Sequence, residues 1–202
     1  GSVLNQETNE ETDNEFSFFS QAAAAGISPS INESFENYIK NVENAPLLKG
    51  KFKDFRHKSK EGGLDTIGFG HKLTEEENKN NKVYQYDLSE ITKNNFLEIS
   101  NDILRQDLEK TEKILIEIHG DKFINLDTRR KQMLIDMQFN IRNFEKPEVY
   151  KKFKKALFDG DEEGMNKEYK RGFYPSKKDR ENKTNYQTLG RNKDFKEYFL
   201  DN

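Results

Sequence analysis

Apolar residues recur at the three-and-four spacing of an amphipathic helix from Phe35 through Tyr38, Ile39 and Val42, with Ser34 read as the N-cap. Glu43 falls at the C-terminal end of this helix, where Asn44 and Pro46 stop it. Residues 52 to 58 and 64 to 70 then read as two short extended pieces around Gly62-Gly63, a dipeptide suited to a two-residue turn that needs positive φ. The spacing of Thr74-Glu75-Glu76-Glu77 is that of a capping box. A polar Asn/Lys stretch follows, then a long helical pattern with Phe96, Leu97, Ile103, Leu104, Leu108, Leu115 and Ile118 that ends at Gly120. A second apolar helix covers about 128 to 140, and further helices are expected over 149 to 158, 162 to 171 and 194 to 200. The pattern predicts an α+β, predominantly α, chain with one hairpin near its front.

Residues 1 to 30 break this periodicity. They mix Asn, Glu, Thr and Ser with the Ala22 to Ala25 run and Gly26-Ile27-Ser28-Pro29, and read as a flexible acidic linker or tail ahead of a folded domain over 31 to 202. Phe16, Phe18 and Phe19 are the apolar exception, able to dock on the domain or on a neighbouring part of a larger protein. The Gly1-Ser2 start, without methionine, reads as a piece of a longer protein.

Composition narrows the chemistry. Hydrophobic residues make up only 32% of the chain and charged residues 35%, so much of the core area must come from 16 Phe and 8 Tyr. The chain has no cysteine, which removes disulfides and thiolate metal sites, and His57, His71 and His119 are too scattered for a zinc site. No cofactor is expected. No stretch approaches the roughly 18 apolar residues of a membrane span, and no signal peptide is visible. The net charge of −3 conceals an acidic front: residues 1 to 34 carry six acids and no Lys or Arg. From residue 35 onward 34 basic residues face 31 acidic ones, too small an excess and too dispersed for a nucleic-acid binder.

Two features carry candidate chemistry. Glu43 lies close to Ala45, Pro46, Leu47 and Leu48, where desolvation would raise its pKa and suit it to donate a proton to a glycosidic oxygen. In Asp65-Thr66-Ile67-Gly68-Phe69-Gly70-His71, strand alternation would place Thr66, Gly68 and Gly70 on one face, leaving bare backbone that a sugar chain can approach.

Thr66-Ile67-Gly68-Phe69-Gly70-His71 resembles the T-I-G-x-G-H signature of the phage-type (T4-like) lysozymes. Val42-Glu43 sits where that family has its catalytic glutamate, and His57-Lys58-Ser59-Lys60-Glu61-Gly62-Gly63 resembles the H-x-S-x-E-G-G version of some phage lysins and virion-associated peptidoglycan hydrolases. The run from Arg129 to Asn140 resembles the family's R-R-x-A-L-I-x-M-x-F-Q/N helix, and Phe153 to Glu168 the segment after it. The resemblance covers about residues 35 to 200. It implies a lysozyme-like fold, with a small β-hairpin lobe and a larger helical lobe joined by a long helix.

The chain departs from the family where the second catalytic group belongs. The family spaces its glutamate, aspartate and threonine by eight and then five residues, whereas here twenty-two residues separate Glu43 from Thr66 and the aspartate register falls on Lys60. The hairpin therefore carries an insertion. Aligning Phe55 with the family's aromatic places His57 at the aspartate position, with Asp54, Ser59, Glu61 and Asp65 as competitors, and the H-x-S-x-E-G-G variants favour His57 or Glu61. His57 would take the proton of the attacking water through its imidazole. Glu61 would instead form a carboxylate pair with Glu43. Thr66 would orient the water in either case.

His71 is expected to be structural, pairing with a buried acid or a carbonyl and bracing the hairpin against the long helix. Phe139 and Asn140 occupy the place of a cleft-lining aromatic and an amide that meets an N-acetyl group, which with Gly68 makes them the substrate-binding candidates.

The resemblance implies an enzyme: a muramidase that hydrolyses the β-1,4 bond between N-acetylmuramic acid and N-acetylglucosamine, in a phage virion or at lysis. Its partner would be bacterial peptidoglycan, with other parts of a larger virion protein beside it. It would reside in the virion or in the host cytoplasm before release and act in the periplasm or on the wall, without membrane insertion. Two alternatives stand beside this one: a lytic transglycosylase, which needs the acid but no protein base, and a non-catalytic structural or wall-binding module of a phage particle.

Overall fold

The computed structural model describes residues 30–58, 65–141, 143–171 and 188–201, which are mostly helical with two small antiparallel sheets. The first helix, α1 (Glu33–Leu48), is capped by Asn32 rather than Ser34. The Asn32 side chain accepts from the Phe35 amide at 3.0 Å, and Glu33 and Glu36 in the first turn complement the helix dipole. Ser30 is already buried, and its carbonyl accepts from the Gln132 side chain at 2.9 Å, so the packed body includes the last residue assigned to the linker. Residues 1–29, with Phe16, Phe18 and Phe19, lie outside the described residues, as do Glu61, Gly62 and Gly63.

Asn44 and Pro46 were expected to stop α1, and they break it without ending it. Asn44 leaves helical geometry (φ −153°, ψ 67°), after which the chain makes one more helical turn to Leu48. Its carbonyl oxygen Oδ1 accepts from the Leu47 amide at 3.1 Å, capping that turn, and Pro46 lies in the new first turn, where its missing N–H costs nothing. The Asn44 side-chain amide donates to the Asp54 carbonyl at 2.9 Å and to the Gly68 carbonyl at 3.0 Å. One side chain thus breaks the helix, restarts it and ties it to the hairpin.

The first sheet has three strands, β1 (Arg56–Lys58), β2 (Asp65–Ile67) and β3 (His71–Lys72), in that order. The register opposes His57 to Thr66, Arg56 to Ile67 and Lys58 to Asp65, and then Ile67 to His71. The expected strand over 52 to 58 starts later, because Phe52–Asp54 form a 3-10 turn. The expected strand over 64 to 70 stops at Ile67, because Gly68 (φ +56°) and Gly70 (φ +102°) turn the chain into β3. Strand alternation therefore does not run through the glycines, and the bare strand face expected of Thr66, Gly68 and Gly70 does not form.

A short helix, α2 (Glu75–Asn80), opens with the expected capping box, Thr74 and Glu77 bonding each other's backbone. The second sheet, β4 (Lys82–Val83) and β5 (Tyr86–Asp87), lies between α2 and the long helix, in the stretch for which the sequence pattern predicted no element. Its turn holds Tyr84 at φ +52°, an unfavourable conformation for a bulky residue. Side chains reaching the long helix α3 (Phe96–His119) hold it there: the Tyr84 hydroxyl donates to Asp107 at 2.5 Å and the Tyr86 hydroxyl to Asp102 at 2.6 Å.

The helix α3 has 24 residues, about 36 Å long. It meets the sheet at Ser100 and Asp107 and packs along α5 (Thr128–Asn140), whose bounds match the expected ones and whose N-cap is Asp127. The one-turn helix α4 (Asp121–Ile124) links them. The helices α6 (Lys151–Asp159) and α7 (Glu162–Glu168) pack on each other, each shorter than expected, and α8 (Thr188–Phe199) begins earlier than expected. The core is aromatic, with Phe35, Phe69, Phe123, Phe144, Phe153, Phe195 and Phe199 all fully buried.

His71 braces sheet to helix as anticipated. Its Nδ1 lies 2.9 Å from Asp107 on α3 and its Nε2 3.3 Å from Glu77. Burial alone would lower the His71 pKa, but the two carboxylates more than offset it and hold the imidazolium above its ordinary range. A raised folded pKa contributes stability that is complete below the unfolded value, about 6.5, and lost as pH rises through the folded value. We therefore expect the melting-temperature difference between wild type and Asp107→Asn to be largest near pH 5 to 6, while the carboxylates stay ionised, and to shrink on alkaline titration. A pH-independent difference would contradict this account.

Candidate active site

Glu43 is the last helical residue before the α1 break, so its position is set by the Asn44 contacts that produce that break. Three neighbours from other parts of the chain converge on its side chain. Arg191 of α8 donates to Oε1 at 2.5 Å, and the side-chain amide of Asn140, the last residue of α5, donates to the same oxygen at 3.3 Å. The third neighbour is backbone: a Cβ added to Gly70 would lie 3.2 Å from the Glu43 carboxyl carbon. The Glu43 side chain is 17% exposed, so it is partly open to solvent. The expectation of an apolar surround is corrected, because the nearest groups are a guanidinium and an amide.

Behind Glu43 lies a fully buried carboxylate, Asp136 of α5, with no solvent exposure. One of its oxygens accepts from Arg191 and the other from Arg171. Burial pushes the Asp136 pKa up, but the two guanidiniums together outweigh that and hold it below the ordinary carboxylate range. Burial works against the Arg191 charge, and Asp136 and Glu43 reverse the effect. Arg171 also donates to the Asn140 amide oxygen at 3.3 Å, which closes a ring through Glu43, Arg191, Asp136, Arg171 and Asn140. Two negative and two positive groups are thereby balanced. Tyr38 presents a buried hydroxyl beside the ring, and burial followed by the Asp136 charge raises its pKa.

Of the other candidates, Thr66 is buried in β2 and stands directly opposite His57, so the two side chains share one face of the sheet. His57 is exposed, its Nδ1 3.4 Å from the Asp54 carbonyl. Glu61 lies outside the described residues. Asp65, a competitor, is held by Arg56 at 2.7 Å and Lys58 at 2.9 Å, and hydrogen bonds from Lys58 and then Arg56 lower its pKa. Gly68 does not line a cleft: it is buried against Ser100 of α3, its amide donating to the Phe55 carbonyl at 2.8 Å. Phe139 is half-buried against the core, and Asn140 is exposed beside Glu43.

Asp136, Arg171 and Arg191 were not among the sequence candidates. Asp136 carried a readable signal, an acid inside the apolar run Met133-Leu134-Ile135-Asp136-Met137, since a carboxylate carried into a core must bring cations with it. The arginines had none, being two among 34 basic residues.

Among the described residues no group of three or more His, Cys, Asp and Glu side chains is placed to hold a metal, and no helix is long and apolar enough to cross a membrane. Comparison with protein-family models, with curated proteins and with solved structures finds no match to this chain. The likeness to phage lysozymes rests on the quoted motifs alone.

The two turn glycines should respond differently to a methyl group. At Gly70 the methyl would press on Glu43 at 3.2 Å, and at Gly68 on the Ser100 hydroxyl at 3.3 Å, both at positive φ. We expect each Gly→Ala change to cost about 1–3 kcal/mol of stability, from strain. Only Gly70→Ala should also displace the Glu43 carboxylate, as read by its side-chain NMR signals, while denaturant unfolding reads the stability of both variants.

Proposed function

We propose that this chain is a peptidoglycan glycosidase of lysozyme-like fold, a phage-type muramidase in which Glu43 is the general acid. The observation that carries the reading is the Glu43 carboxylate, partly open to solvent, held by Arg191 and Asn140 against the backbone of the Thr66 to His71 motif. A small sheet beside Glu43, with the long helix α3 touching both that sheet and α5, supports the reading, since the resemblance implies a small β lobe joined to a helical lobe by a long helix.

In this reading Glu43 gives its proton to the glycosidic oxygen as the bond to the anomeric carbon breaks, and the sugar left behind carries the positive charge. A water attacks that carbon, oriented by Thr66, and loses its proton to His57 or Glu61. Asn140, on the rim, has its amide available to the N-acetyl group of a bound sugar. Peptidoglycan of a bacterial host is the substrate, met from a virion or at lysis.

A second reading has one observation in its favour. Asp65 is occupied by Arg56 and Lys58, which removes one candidate for the second carboxylate. A lytic transglycosylase needs no such partner, because the substrate's own hydroxyl attacks and leaves an anhydro-muramic end.

Turbidity clearing of permeabilised bacteria tests the first reading. Glu43→Gln should abolish clearing while unfolding at a similar temperature; equal activity in the two proteins would overturn the assignment. Loss in His57→Ala or in Glu61→Gln identifies the water-activating group. Mass spectrometry of the released fragments then separates reducing muramic ends, the hydrolase product, from anhydro ends.

A further inference from the structure

Arg171 does not touch Glu43, yet it is among the most buried cations of the described residues. It is 3% exposed, and its guanidinium is engaged on several sides. One nitrogen donates to Asp136 and another to the Asn140 amide oxygen at 3.3 Å. Its Nε meets the Met137 sulfur at 3.2 Å, and the group stacks 5.0 Å from the Phe195 ring. Its backbone is fixed as well: the Arg171 amide donates to the Asn192 side chain at 2.9 Å, and the Arg171 carbonyl accepts from it at 3.0 Å. Asn192 directly follows Arg191, so this reciprocal pair straps the two arginines side by side.

We propose that Arg171 is a positioning residue for Glu43, acting through Asn140 and Asp136. An amide can present either its oxygen or its NH2 to a neighbour. With a guanidinium on one side and a carboxylate on the other, Asn140 has one favourable orientation, oxygen to Arg171 and NH2 to Glu43. By occupying one oxygen of Asp136, Arg171 also leaves Arg191 free to reach Glu43 as well as Asp136. A lysine would supply the charge without the planar fork that meets two acceptors at once.

The inference rests on Glu43 being the acid, and the experiment separates the two claims. Turnover of soluble peptidoglycan oligosaccharides is measured for wild type, Glu43→Gln, Arg171→Lys and the charge-balanced double variant Arg171→Met/Asp136→Asn. Melting curves accompany each, because Arg171→Met alone would strand a buried carboxylate. The double variant should melt below wild type, since Arg191 loses its Asp136 partner, yet stay folded at the assay temperature and lose about 100-fold in kcat, the scale of a misplaced catalytic group, with a smaller change in KM. Arg171→Lys should also fall in kcat by more than KM changes, and it carries the test if the double variant does not fold. A folded double variant, or failing that a folded Arg171→Lys, with wild-type kcat would show that Arg171 is only structural. If Glu43→Gln is inactive in that case, the positioning claim falls and the acid assignment stands. An active Glu43→Gln ends both.

Discussion

Asp136 is the constraint on which the rest of the candidate site depends. A lone carboxylate with no exposure to water would carry a desolvation cost of several kcal/mol, so it can be ionised only with cations and hydrogen bonds around it. Arg171 and Arg191 supply both, and they come from the two ends of a long stretch of chain, one after α7 and the other in α8. Asp136 therefore gathers two segments at one point of α5. Because Arg191 also reaches Glu43, the same gathering fixes the position of the carboxylate with the most evident chemistry.

A second set of restraints arrives from the sheet side, independent of the first. Asn44 spends its side-chain amide on two carbonyls, one before β1 and one after β2, and this sets where α1 breaks relative to the turn at Gly68 to Gly70. His71 then ties the outgoing strand to Asp107 of α3. Glu43 sits where the two systems meet: the ion-pair ring holds one of its oxygens, and the Asn44 break and Gly70 hold its stem. A carboxylate fixed from both sides has little freedom left to lose on binding a ligand, which is the preorganisation that the proposed acid role requires.

How much of this could be read in the sequence depended on whether each feature is local. The bounds of α5 follow from Asp127 as cap and from a run of apolar residues, and those of α3 from its periodicity and Gly120. Glu43, Asn140 and the Thr66 to His71 motif were legible as types at positions. The turn at Gly68 and Gly70 was not, because a Gly-x-Gly in a β-rich stretch serves a strand or a turn equally well, and the choice is made by contact with Ser100 and Glu43 from distant helices. The β4–β5 hairpin was hidden for a similar reason. Its turn lacks glycine, and the left-handed Tyr84 is held there by a hydroxyl bond to α3. The ion-pair ring is the extreme case, since its bonds span up to 148 positions along the chain.

The ring also bears on how an acid can work beside a guanidinium. If Glu43 is to carry a proton, its pairing with Arg191 must weaken, and a buried arginine stripped of its counter-ion would be costly. Arg191 already bonds Asp136 on its other nitrogen, so it keeps a buried anion whether Glu43 is charged or neutral. Asn140 serves both states too, because its oxygen is committed to Arg171 and its NH2 can donate to a carboxylate or to the carbonyl oxygen of a carboxylic acid. The second arginine and the buried aspartate thus do more than stabilise α8 against α5. They give the cation next to Glu43 a second, permanent partner, so that Arg191 does not depend on Glu43 alone for its counter-ion.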